Sequence, residues 1–381
     1  MLLRDVVYVQ NTSDFVLNII SQRNLDPTTT FVRISVDSGG SFLKVIVNVF
    51  DPEERNINSE RFMNSGVQRC QILGITEDVP ESNHNLRLLL EKLNLEDVKF
   101  DVAFDLKCGN AVFGLSSHAG KRACLWCEGL PTAESGTLRS LGSLDYWYGR
   151  YAETGFNKVH MKECMNVINP RVLYKDEDPE TLLQYRVAPP ELHLMIGLVS
   201  LLGTVLLDLW TGFDEWLRMK NILQRGYQGR GWDGNNSNTI LKHLDELECK
   251  VMKTVPHLVP IVQCLKDFRS FKESCFGYSL EPEFEKNLCK LKNSFTASQE
   301  LIESLSKKLH LTWKVHIILC HVAPFVKYHN CGLGQYAEQC GEAIHSKFKP
   351  TWARFKRTEG HSEHGHKLLA AVKQFGGRRI V

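Results

Sequence analysis

The stretch Thr312–Phe348, TWKVHIILCHVAPFVKYHNCGLGQYAEQCGEAIHSKF, governs how the rest of the chain is read. It sets two histidines, His316 and His321, in the apolar run Val315–Val322. Two glutamates follow, Glu338 and Glu342, four apart and so on one helical face. Histidines at this spacing are permitted metal ligands, and a Cys-x-x-Cys elsewhere would complete a closed tetrahedral set. Cys124-Leu125-Trp126-Cys127 supplies such a pair. Cys320 and Cys331 are substitutes for either histidine, and satisfied core histidines are the plain alternative. Ligands at 124–127 and 316–321 would close the ends of the intervening chain onto each other.

Upstream of Cys124 the hydrophobic period is two. Val32, Ile34 and Val36 alternate up to Asp37, a Ser-Gly-Gly turn follows, and Leu43, Val45, Val47 and Val49 alternate again. A third strand is expected over Cys70–Thr76. Leu86, Leu89, Leu90 and Leu93 have helical spacing, and Val98, Phe100, Val102 and Phe104 return to period two, ending at Asp105. Strand, strand, strand, helix, strand, with an aspartate closing the first and fourth strands, is the layout of an RNase H-like core. In that layout the two strands are neighbours and bring Asp37 and Asp105 together. Clustered carboxylates with one helical glutamate would hold two hard divalent cations, Mg2+ or Mn2+. Asp37 before Ser-Gly-Gly also reads as a turn former, and Asp101 shares the strand face of Asp105.

Downstream of Cys127 the pattern is helical. Pro189-Pro190 opens an apolar helix, and helices follow over Trp210–Leu223, Thr239–Thr254, His257–Phe271 and Pro282–Leu309. The glycines of Gly226–Gly234 follow no strand, so they are no dinucleotide fingerprint. The fold expected is α/β, an RNase H-like catalytic core interrupted by a large all-helical insertion, with a Cys2His2 structural zinc site. Its parts are an N-terminal helical extension (1–30), the first part of the core with the zinc knuckle (31–127) and the helical insertion (128–311). The zinc histidines, the glutamate helix and a basic tail make up 312–381.

Composition sets bounds on function. A net charge of +2 over 381 residues excludes a strongly basic binder by total charge, so distribution matters. Between Ala343 and Val381 nine Lys/Arg face two Glu, enough local charge to attract a phosphate backbone. Residues 1–20 lack a signal-peptide pattern. The apolar run Leu194–Leu207 contains Gly and Thr and fits a buried helix better than a membrane span. An intracellular protein with no membrane is expected, its twelve cysteines reduced and the Cys-x-x-Cys open to Zn2+.

These pieces together resemble the catalytic core of the RAG/Transib group of DDE transposases. Asp105 precedes Cys124 by nineteen residues, an interval like the family's between its second aspartate and first zinc cysteine. CLWCEGLPTAES is similar to its zinc knuckle, Leu192-His193 with Ile196-Gly197 to its Leu-His-x-x-Ile-Gly, and Gly234-Asn235 to its Gly-Asn segment. HIILCHV and AEQCGEAIHSKF resemble its His-x4-His and its third-carboxylate helix. The resemblance implies Asp37, Asp105 and Glu342 as catalytic metal ligands, and Cys124, Cys127, His316 and His321 as the zinc set. The two glutamates are one residue further apart than the family's, so Glu338 is either a group supporting the ligands from behind or a rival ligand. Tyr336 stands where the family has tryptophan, a candidate for base stacking or a packed aromatic.

What the resemblance implies is metal-dependent DNA strand cleavage and strand transfer in the nucleus by a homodimer. Lys347, Lys349, Arg354, Lys356 and Arg357 are expected on the DNA backbone. Asp37 lies so close to the start that end recognition is expected from a separate domain or protein. Two other readings stand beside it. One is a domesticated or truncated derivative, catalytically inactive, that binds DNA or protein; the other is a plain metal-dependent nuclease.

Overall fold

The computed structural model describes residues 4–52, 69–116, 120–224, 231–356 and 364–377, apart from the side chains of Cys340 and Glu342. The chain divides into two compact units. Residues 1–125, 139–188 and 335–381 form one, and residues 126–138 and 189–334 the other.

In the first unit, β1 (Val6–Tyr8), β2 (Phe31–Gly39), β3 (Phe42–Phe50), β4 (Gln71–Glu77) and β5 (Asp101–Ala103) build one mixed sheet in the order β1-β4-β3-β2-β5. β5 runs parallel to β2, and the other pairs are antiparallel. In chain order the helices are α1 (Thr12–Gln22), α2 (Asn83–Leu93), α3 (Leu106–Val112), α4 (Leu141–Glu153), α5 (Leu183–Arg186), α6 (Glu191–Leu209), α7 (Thr211–Met219), α8 (Gly234–Lys242), α9 (Leu244–Thr254), α10 (Val259–Cys275), α11 (Phe284–Ser304), α12 (Trp313–Ile317), α13 (Ala323–His329), α14 (Gln339–Lys356) and α15 (His364–Gly377). A π turn, Ile318–Val322, joins α12 to α13.

The hairpin of β2 and β3 follows the expected alternation, but its turn is Gly40-Ser41, with φ of 58° and 73°. Two left-handed residues make the tight turn whose twist suits antiparallel strands. Asp37 therefore lies inside β2, paired with Lys44 across the hairpin, and is no turn former. Every residue of β3 and β4 is buried, because helices cover both sheet faces. On one face α14 and α15 bring Ile344, Phe348, Trp352, Leu368 and Phe375 onto Phe42, Ile46 and Ile72. On the other, α2 buries Leu86, Leu89, Leu90 and Leu93, the stripe its sequence spacing predicts. The helical extension expected over 1–30 also needs correction. Val6–Tyr8 pairs with β4 as an edge strand before Asn11 caps α1; three residues are too few to display a period.

The end of β4 is tied to both covering helices by one carboxylate. Trp352 Nε1 and Lys356 Nζ donate to Glu77 Oε1 at 2.9 and 3.0 Å, and His364 Nε2 lies 2.9 Å from Oε2. Burial pushes the Glu77 carboxyl up, but these three groups outweigh it and hold it below the ordinary glutamate value of 4.5. The stabilisation is thus present above that value and lost as pH falls through the lower folded one. Glu77→Gln is expected to cost about 2 kcal/mol at pH 7, with the gap to the parent closing in urea melts toward pH 3. An equal gap at both pH values would count against the charged form.

In the second unit α6 is the apolar helix opened by Pro190. Among the described residues it alone is long and apolar enough to cross a membrane. Its stripe Leu194, Leu198, Leu202 and Leu206 is buried, and Trp232 lies so close to Gly203 that a Cβ there would come within 2.5 Å of the indole. α10 and α11 pack on each other, burying Leu265, Phe268, Leu291 and Phe295. Of the glycine-rich loop, residues 225–230 lie outside the described residues. Residues 139–188, expected inside the helical insertion, fold with the sheet: Val187 bridges in parallel to Val102, and Leu183 N–H donates to Arg139 O at 2.9 Å.

Candidate metal centres

The four residues of the expected zinc set converge. One ligand atom each from Cys124, Cys127, His316 and His321 lies within 4.8 Å of the others, and all four residues are buried. Their approach is not what a regular helix gives. At 3.6 residues per turn, residues five apart point about 140° away from each other. The π turn supplies the missing rotation: its i to i+5 geometry stacks residues five apart on one face. His316 Nε2 then lies 3.2 Å from His321 Nε2 and 3.4 Å from Cys127 Sγ.

The surroundings fix each ligand. His316 Nδ1 donates to Thr132 O at 2.7 Å, which leaves Nε2 as the coordinating nitrogen. The Trp126 indole stacks on the His321 ring at 5.9 Å. After Cys127 the knuckle chain doubles back, with Glu128 N–H bonded to Thr137 O at 2.9 Å. Gly129 and Gly136 cross there so closely that a Cβ on Gly136 would lie 2.5 Å from the Gly129 backbone. Arg139, wholly buried, donates to Cys124 O at 3.0 Å and Met165 O at 2.9 Å. Burial pulls His316 down, but Cys127, Cys320 and the Thr132 carbonyl push it up to about 10, while burial holds His321 below its ordinary value. Two thiols with two imidazoles favour a positive charge, and a borderline-soft ion such as Zn2+ suits the donors. Cys320 and Cys331 stand outside this group.

A second cluster, of carboxylates, lies in the sheet unit. The β2–β5 pairing ends at Ser35 with Ala103, and two residues further on stand Asp37, still within β2, and Asp105, past the end of β5. Asp105 caps α3, its Oδ1 accepting from Cys108 N–H at 2.6 Å. Sequence reading missed a third member, Glu81, just before Ser82 caps α2. Its side chain is 2% exposed, Lys107 Nζ lies 3.5 Å away, and Oε1 makes no hydrogen bond among the described residues. Burial first, then Asp105 and Asp37, push Glu81 up to about 7, with Lys107 opposing. The same three carboxylates add to burial in raising the Cys108 thiol. Carboxylates that disfavour each other's charge fit a hard divalent cation.

No protein-family model matches the chain, and neither does any curated protein.

α14 approaches Asp37 at Gly341, where a Cβ would lie 3.5 Å from Ser35 Cβ and 3.7 Å from Asp37 Cβ. Glu342 is the next residue of that helix; its side chain lies outside the described residues. Three residues on, His345 Nε2 is 2.7 Å from Asp37 Oδ2, and His345 Nδ1 contacts Lys44 Nζ. Lys44 is 1% exposed, and burial pulls it down to about 7 against the opposing pull of Asp37.

The remaining candidates separate. Asp101, the rival of Asp105, pairs with Arg186 Nη1 at 2.7 Å, and Arg186 also holds Glu177 at 2.8 Å. Glu338 is buried, its carbonyl accepting from Gly341 N–H as the chain enters α14. Tyr336 is buried edge-on against Phe31 at 5.2 Å. Lys347, Lys349, Arg354 and Lys356 are exposed on α14, Lys356 paired with Glu77. Arg357 lies outside the described residues.

Proposed function

We propose that the chain is the RNase H-like catalytic core of a DDE-type recombinase related to the RAG/Transib group, cutting and rejoining DNA. The observation that carries this is that Asp37, within β2, and Asp105, just past the parallel strand β5, both act on buried Glu81. The order β4-β3-β2-β5, with Val187 bridging on the far side of β5, supports the fold. Asp37, Asp105, Glu81 and Glu342 are the ligands, and the hard oxygens fit Mg2+ or Mn2+. When bound, such ions activate the attacking oxygen and stabilise the departing one. The protein's own share is positional. The carboxylates would hold the cations that a reacting phosphate needs, and Lys347, Lys349 and Arg354 on α14 hold neighbouring phosphates. Water attacks first, breaking a P–O3′ bond to leave a 5′-phosphate and a 3′-hydroxyl, and that hydroxyl then attacks a second phosphodiester and displaces its 3′-oxygen as a new hydroxyl. A nuclear homodimer acting on paired ends, with end recognition from another domain or protein, completes the reading. Zn2+ in the Cys2His2 set is structural.

A non-catalytic derivative that binds DNA or protein is the second reading. It is favoured by the capping role of Asp105, which would keep that residue without any chemistry. The test incubates the protein with a nicked or branched duplex and Mg2+ or Mn2+, beside Asp105→Ala and Glu342→Ala. Nicks and joined strands that vanish in both variants are the expected result. Cleavage indifferent to Asp105 would overturn the assignment, and an inactive, zinc-loaded parent would select the second reading.

A further inference from the structure

Lysine is almost never wholly buried without a partner, yet Lys44 sits in the middle of β3 at 1% exposure. It faces α14, on the same sheet face as Phe42 and Ile46. Its ammonium lies 4.8 Å from the Phe42 ring centre and 5.6 Å from that of Phe348, contacts that offset part of the burial cost. Its cross-strand partner is Asp37, a natural ion-pair mate. The His345 ring is interposed instead, bonded to both. Room for the ring exists because residue 39 is glycine; a Cβ there would come 2.9 Å from His345 Cδ2.

We infer that Lys44 and His345 are positioning residues that hold Asp37 in the orientation a divalent cation requires. The inference rests on the carboxylate reading given above. The Asp37 carboxylate can only accept, so the ring proton of His345 sits on Nε2 and Nδ1 is left to accept from Lys44. Nε2–H then donates to Asp37 Oδ2. With Oδ2 committed, the carboxylate cannot turn about its terminal bond, and Oδ1 is the oxygen offered to a cation. The chain of donors also fastens Asp37 to the helix that carries Glu342 three residues earlier. Purely as packing, the pair would hold up the sheet–helix interface without affecting how tightly a cation binds.

Mn2+ affinity of the whole chain, without DNA, separates these roles, read by the electron paramagnetic resonance of free Mn2+ alongside the melting midpoint in chelator-treated buffer. His345→Ala and Lys44→Met are expected to weaken Mn2+ binding ten- to a hundredfold. His345→Gln, whose amide N–H reaches the place of Nε2, recovers most of the loss. Gly39→Ala, which displaces the ring and leaves Lys44 in place, weakens binding as well and serves if Lys44→Met fails to fold. Asp105→Ala abolishes binding. Parent-like affinity in His345→Ala and Gly39→Ala, with Asp105→Ala still defective, overturns the positioning role and leaves the carboxylate site standing. Parent-like affinity in Asp105→Ala, or a parent that binds no Mn2+, overturns the site itself and this inference with it.

Discussion

Cys127→Ser is expected to strip the chain of zinc and lower its stability by about 4 kcal/mol or more, the contribution of a ligand present at a thousand times its Kd. His316→Ala should do the same, because Thr132 loses its donor together with the coordinating nitrogen. The four ligands are buried around one point, so a metal-free cluster leaves thiols and imidazoles facing each other with only a proton to balance them. Elemental analysis of the purified protein should find one zinc per chain in the parent and none in Cys127→Ser. Calorimetric unfolding with and without a chelator should place the stripped parent beside the variant. Acid should act in the same direction, since protons compete for thiolates and imidazoles and drive the metal out as pH falls. A parent that melts identically with and without chelator would refute a structural role for the metal.

The second large effect concerns a residue whose charge opposes folding. Glu81→Gln keeps size and removes a carboxylate that burial, Asp105 and Asp37 already push up to about 7. Because the folded value lies above the unfolded one near 4.5, the parent loses stability as pH rises from 4.5 to 7. Without added cation, the variant should therefore be more stable than the parent above pH 7, on the order of 2 kcal/mol. Its stability should also vary less across that window. DNA cleavage should move the other way, falling on the order of a hundredfold, as when a group holding a catalytic metal is lost. A site kept at the expense of stability is the signature of function. A variant that is both less stable and fully active would mark Glu81 as a structural partner of Lys107 only.

The parts of this arrangement that were legible in sequence are those written in local periodicity or spacing. The alternation around Ile34 and Val47 gave the hairpin, the leucines of α2 gave the helix between the third strand and β5, and the cysteine and histidine spacings found all four members of the buried cluster. The missing parts depend on what covers a residue from far away. Lys44 alternates with Leu43 and Val45 as a solvent-facing strand residue would, and only a second helical layer turns that position into core. Glu81 sits in a Pro-Glu-Ser entry to a helix, where a carboxylate is ordinary; of the aspartates that perturb it, one lies within β2 and the other caps α3. Asp101 and Asp105 share a strand face, and the group that claims Asp101, Arg186, is 85 residues away. Arg139 reads as a loop cation until three backbone carbonyls, those of Cys124, Arg122 and Met165, are seen around it.

The π turn between the histidines has an effect beyond the ligands. One extra residue advances everything after it by about 100° about the helix axis, and α13 depends on that phase: Phe325 and Val326 face inward while Tyr328 is 65% exposed. Deleting a residue such as Leu319 would leave the histidines four apart, a spacing that a plain α-helix also tolerates for zinc. The same deletion would turn Phe325 into the half-buried place of Pro324 and bring Lys327 into the buried place of Val326. An insertion would spoil both alignments at once. The length of Ile318–Val322 is thus locked from two sides, by the Cys2His2 cluster that His321 joins and by the apolar stripe that follows.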